Sequence, residues 1–62
     1  MPTLESTIIL HQEELRMGHR YYLYRSQEED DKGRRTIGGV YILQSEIYSD
    51  PPYKMKISLE WK

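Results

Sequence analysis

The chain is predicted to be mainly β. The expected form is a small four-stranded antiparallel sheet or partly open barrel, with one or two short helical turns, completed by dimerisation. Three observations predict it. Six Tyr and a run of Ile and Leu stand against no Ala and no Phe, and such side chains suit a pleated, half-buried surface. The segment 53–61 alternates apolar and polar residues without a break. The remaining apolar runs carry large side chains at both odd and even positions, so both faces of their strands need cover.

The first strand is expected over 6–11, where Ile8, Ile9 and Leu10 are consecutive. The segment 12–17 holds good helix formers and ends at Gly18, a plausible helix stop. A six-residue helix is marginal alone. A continued strand turning near Met17-Gly18-His19 is the favoured reading.

Arg20 to Arg25 reads as the second strand, an aromatic run bounded by charge. Gln27 to Arg34 is a polar loop, and Asp31-Lys32-Gly33 has the pattern of a turn with glycine in the left-handed position. The third strand is expected over Arg35–Leu43, with Gly38-Gly39 marking a bulge or a close approach by other atoms. Gln44 to Tyr48 fits one helical turn, stopped by Ser49-Asp50-Pro51-Pro52.

The last strand is the clearest. Tyr53, Met55, Ile57, Leu59 and Trp61 alternate with Lys54, Lys56, Ser58, Glu60 and Lys62. One face should be buried and the other wet.

Size supports self-association. A chain of 62 residues forms one small domain, and a domain this short buries only about 60% of its unfolded surface. There is no cysteine, so disulfides cannot supply the missing stability. A second copy is the expected prop, hence a homodimer.

Charge is nearly balanced at −1 overall, so no global field drives the chain onto nucleic acid or lipid. Residues 1–31 hold three Arg against seven acids, or −4, and residues 32–62 hold six Lys or Arg against three acids, or +3. Pairing of the two halves as strands accounts for this. No apolar stretch is long enough to span a membrane. The start of the chain lacks the pattern of a secretory signal, and a cytoplasmic location is expected.

Catalytic and metal-binding readings are weak. His11, Glu13 and His19 offer too few ligands at useful spacing for zinc and no nucleophile for acid–base work. Glu28-Glu29-Asp30-Asp31 lacks the spacing of a calcium loop. Gly38-Gly39 lies inside an expected strand and not before a helix, which argues against a phosphate cradle. No enzyme, cofactor or metal site is expected.

Two binding functions remain. Tyr and Trp anchor protein interfaces, so an interaction or accessory module is the leading expectation, with Tyr22 and Tyr24 as its exposed anchors. The alternative is nucleic-acid binding by Arg34, Arg35, Lys54 and Lys56, with Tyr22, Tyr24 and Tyr48 as stacking platforms.

Overall fold

The computed structural model describes residues 2–62. Four antiparallel strands form one curled, half-barrel sheet in the order β3-β2-β1-β4. The strands are β1 (Thr3–Arg16), β2 (His19–Ser26), β3 (Val40–Leu43) and β4 (Lys54–Glu60). A single 3-10 turn, Gln44–Glu46, follows β3. The mainly β prediction therefore holds.

Residues 12–16 continue the first strand and do not form a helix. The connection to β2 is a two-residue turn, Met17-Gly18, with φ of 51° and 82°. Positive φ at both central residues is the hairpin geometry whose twist matches that of its strands. Gly33 also has a left-handed φ, 77°, as its place in the loop pattern predicted. Asp30 organises that loop. Its carboxylate accepts from the Lys32 and Arg34 amides at 2.9 and 2.8 Å.

The β1–β2 ladder pairs Leu10 with Tyr24 and Gln12 with Leu23, so His11 is an extra residue in β1. This bulge switches which residues of β1 share a face. Before it, Leu4, Ser6, Ile8 and Leu10 share a face with Tyr22, Tyr24 and Ser26 of β2; Tyr24 reaches across β1 to Pro52 on this face, which makes it the concave one. After it, Glu13 and Leu15 take that face. Ile9 is half-buried on the opposite face from Ile8 and Leu10, so this part of the strand has no wet side.

The buried core is small. Ile8, Leu23, Tyr24 and Ser26 are buried. Ser26 earns its interior place by hydrogen bonding, as a buried hydroxyl must. Its Oγ accepts from the Ile37 amide at 2.7 Å and meets Ser6 Oγ at 3.2 Å.

Two expectations are corrected. The third strand does not begin at Arg35; regular pairing starts at Val40. Ser26 donates its amide to the Ile37 carbonyl at 3.1 Å and takes the Ile37 amide on its side chain. Residues 35–37 are thus held by an isolated Glu29–Arg35 bridge and by the backbone and side chain of Ser26 in place of a regular ladder. A Cβ on Gly39 would lie 3.2 Å from buried Leu23 Cδ1, so the expected close approach is real and falls on the second glycine. The second correction concerns β4. Met55 and Ile57 are half-buried, but Tyr53, Leu59 and Trp61 are exposed, Trp61 by 51%. Alternation found the correct side of the strand, but no second layer covers its ends.

Candidate protein-binding surface

Large apolar side chains are exposed in two regions. One is the hairpin end, with Leu15, Met17 and Tyr41; the other is β4, with Tyr53, Leu59 and Trp61. Tyr48 is exposed in the connection between them.

The hairpin end is the more organised. Strand register puts Glu14, Arg16, Tyr21 and Tyr41 on the convex face. The Tyr21 and Tyr41 rings meet edge to face, with centroids 6.2 Å apart. The Arg16 guanidinium stands 5.1 Å from the Tyr41 centroid. Its Nη2 donates to Tyr41 Oη at 2.9 Å and to Glu14 Oε1 at 3.1 Å. Burial pushes the Glu14 carboxyl up, but the Tyr41 hydroxyl and the Arg16 charge outweigh it and hold the group below its usual range. Arg16, Met17, Tyr21 and Tyr41 line a shallow cavity of about 310 Å³. Two fixed rings, a fixed cation and a free thioether make a preorganised apolar recess with one charged wall.

Met17 is 98% exposed and sits at positive φ. A left-handed conformation costs a non-glycine residue about 1–2 kcal/mol. The turn accepts that cost and presents the side chain wholly to solvent.

The tyrosines singled out from sequence lie elsewhere. Tyr24 is fully buried, and its hydroxyl donates to the Pro52 carbonyl at 2.7 Å. It is a core residue and not an exposed anchor, because the loop before β4 folds over it. Tyr22 is half-buried on the concave face, beside Glu13 and Ile42. The pair that clusters at the surface is half-buried Tyr21 with exposed Tyr41. Tyr21 and Tyr41 share a face with Leu23 and Leu43 across β2 and β3; Leu23 on that face is buried, so parity in the sequence did not mark the pair as exposed.

Arg34 Nε is 2.7 Å from Asp30 Oδ2. Arg35 Nη1 donates to the Ser26 carbonyl at 2.6 Å, and Nη2 lies 3.5 Å from Glu29. Lys54 and Lys56 point from β4 to the convex face, opposite Ile9 and Thr7. Arg25 joins them there, in one row with Ile9 and Lys54. Its Nε is buried without a hydrogen-bond partner. Lys56 also lines a polar cleft of about 380 Å³ with Glu5 and Glu28. That cleft shares Glu28 and Thr36 with a second one lined by Arg34 and Arg35.

His11 and His19 are exposed. No cluster of three potential metal ligands occurs among the described residues. No helix among them is long and apolar enough to cross a membrane. No protein-family model matches the chain, and no curated protein or solved structure matches it either.

Proposed function

We propose that the protein is a non-enzymatic interaction module that binds a partner protein at the hairpin end and associates with itself. The observation that carries this reading is Met17, held fully exposed in a strained turn beside the Tyr21–Tyr41–Arg16 cluster. Tyr, Met and Arg are the residues enriched at interfaces. Strain kept at an exposed site points toward function. The favoured occupant is an apolar side chain of the partner, seated between Met17 and the tyrosine rings. The chain would work in the cytoplasm, where a domain without cysteine forgoes no disulfide.

The test begins with proteins captured from the source cells by the immobilised chain. Each is purified and titrated against the wild type and against Tyr41→Ala. A true partner at this surface loses affinity by about tenfold or more, while the NMR spectrum of the variant stays folded. Equal affinity for both proteins would remove the hairpin end from the proposal.

The row Arg25–Lys54, with Lys56 beside it, supports the nucleic-acid alternative. Arg34 and Arg35 would have to exchange carboxylate and carbonyl partners for phosphate. Titration with single- and double-stranded oligonucleotides decides between the readings. Shifts on Lys54, Lys56 and Arg25 that fade with salt would favour the alternative, and an unmoved spectrum would retire it.

A further inference from the structure

We infer that the free edge of β4 is the self-association surface, pairing antiparallel with β4 of a second copy about a two-fold axis at Ile57. This rests on the self-association part of the reading above and supplies its geometry.

The backbone parity of β4 allows it. Tyr53 accepts from the Leu10 amide at 2.8 Å, and Trp61 donates to the Pro2 carbonyl at 3.3 Å. Odd-numbered residues of this segment therefore turn their amides and carbonyls toward β1. In an antiparallel ladder this alternates along the strand. Lys54, Lys56, Ser58 and Glu60 direct theirs outward, at the edge of the sheet. An unpaired edge of this kind is a template for another strand.

The side chains select the register. Centred on Ile57, the pairing opposes Lys54 to Glu60, Lys56 to Ser58, Met55 to Leu59 and Ile57 to itself. Just outside the strand, Tyr53 meets Trp61. Opposite charges and aromatic pairs directly across strands are favourable, and like charges are not. Neighbouring registers fail this criterion. A centre at Met55 opposes Lys54 to Lys56, and one at Lys56 opposes that residue to itself. A centre at Ser58 opposes Lys56 to Glu60 but sets Lys54 against Lys62 beyond the strand end and gives up the Tyr53–Trp61 pair, and one at Leu59 opposes Lys56 to Lys62. The Ile57 register is the one that joins a Lys–Glu pair to the Tyr53–Trp61 pair with no lysine facing another.

The same register covers the exposed part of β4. Tyr53, Leu59 and Trp61 are exposed, and all three lie on the concave side with Met55 and Ile57. The two-fold axis places both concave sides on one side of the joined sheet. The apolar row of one copy then continues into that of the other. Neither Lys54 nor Glu60 forms an ion pair within the chain among the described residues, so each is free to pair across the axis.

The test is sedimentation and NMR relaxation on the full chain, for the wild type, Lys54→Glu, Glu60→Lys and Ser58→Pro. The wild type is expected to dimerise. Either charge reversal alone should weaken the dimer more than about tenfold. An equimolar mixture of the two should restore it as a heterodimer, because every opposed pair is again complementary. Ser58→Pro removes an outward amide that β1 does not use, so it should yield a folded monomer. A wild-type dimer unaffected by all three changes overturns the edge and leaves self-association standing. A wild-type monomer up to about 1 mM, beyond any affinity of use, overturns both. A failure of the mixture to associate overturns the register.

Discussion

The Tyr24 hydroxyl hydrogen-bonds the Pro52 carbonyl at 2.7 Å, tying the centre of β2 to the loop that precedes β4. Tyr24 is also the largest fully buried side chain. Tyr24→Phe keeps the ring and should cost about 1 kcal/mol, the net worth of one such bond. Tyr24→Ala should cost about 3–5 kcal/mol. A domain of 62 residues has roughly 3–9 kcal/mol in hand, so the alanine variant should lose half or more of its stability. Urea titration of both proteins checks this. A folded Tyr24→Ala protein with near-normal stability would mean the core lies elsewhere.

The same residue sets an alkaline limit. Burial, and then the neighbouring Tyr22, raise the Tyr24 pKa above the usual 10.0. A raised pKa means the folded state prefers the neutral phenol. Its contribution is complete below the unfolded value and is lost as pH rises through the folded value. Urea midpoints should hold steady to about pH 10 and then fall, and Tyr24→Phe should fall less. Identical alkaline profiles for the two proteins would show that Tyr24 is not the responsible group.

Much of the fold was legible because β4 and the first hairpin follow local rules. Alternation at 53–61 identified β4 and its apolar side. The Gly18 signal identified the turn once the short helix was discounted. Three features were not legible. The bulge at His11 has no residue signature, yet it decides which side chains share a face with Tyr22 and Tyr24. The start of β3 depends on Ser26, a residue eleven positions from Ile37 whose hydroxyl takes the amide a strand partner would have taken. Burial among six tyrosines depends on register and on the covering loop. Tyr24 and Tyr41 both lie within short apolar runs, but one is sealed by Pro52 and the other supports Arg16 in solvent.

Ser26→Ala tests the substitute for that missing ladder. The change leaves the Ile37 amide without its 2.7 Å acceptor in a part-buried setting. An unsatisfied buried donor costs about 1–3 kcal/mol. Stability should fall by that amount, and fast amide exchange should appear at Ile37. Continued protection of Ile37 would show that water or another acceptor replaces the hydroxyl without loss.

Asp30 predicts an acid-sensitive loop. The Arg34 amide is the main cause that lowers its carboxyl pKa below the usual 3.8; burial opposes this, and the Lys32 amide and the Arg34 side chain add to it. With a lowered folded value, the contribution is present above the unfolded pKa and is lost as pH falls through the folded one. The carboxylate is exposed, so the readout is local. An NMR titration of the Asp30 carboxyl carbon should give a midpoint below that of an unstructured Asp. The Lys32 and Arg34 amides should move with the same midpoint. A midpoint at or above the ordinary value would mean that the turn is not held by this carboxylate.

Met17 predicts a trade between stability and binding. At φ 51° it occupies a position that Asn adopts far more readily in two-residue hairpins. Met17→Asn should therefore stabilise the fold by about 0.5–1 kcal/mol, part of the cost of left-handed backbone. It also removes the thioether from the recess formed with Tyr21, Tyr41 and Arg16. If that recess receives a partner side chain, affinity should fall by about tenfold as stability rises. The paired measurements are a urea titration and a binding titration on the same preparation. A gain in stability with unchanged affinity would make Met17 merely a tolerated flaw in the turn. A loss of both would show that its side chain supports the hairpin in spite of its exposure.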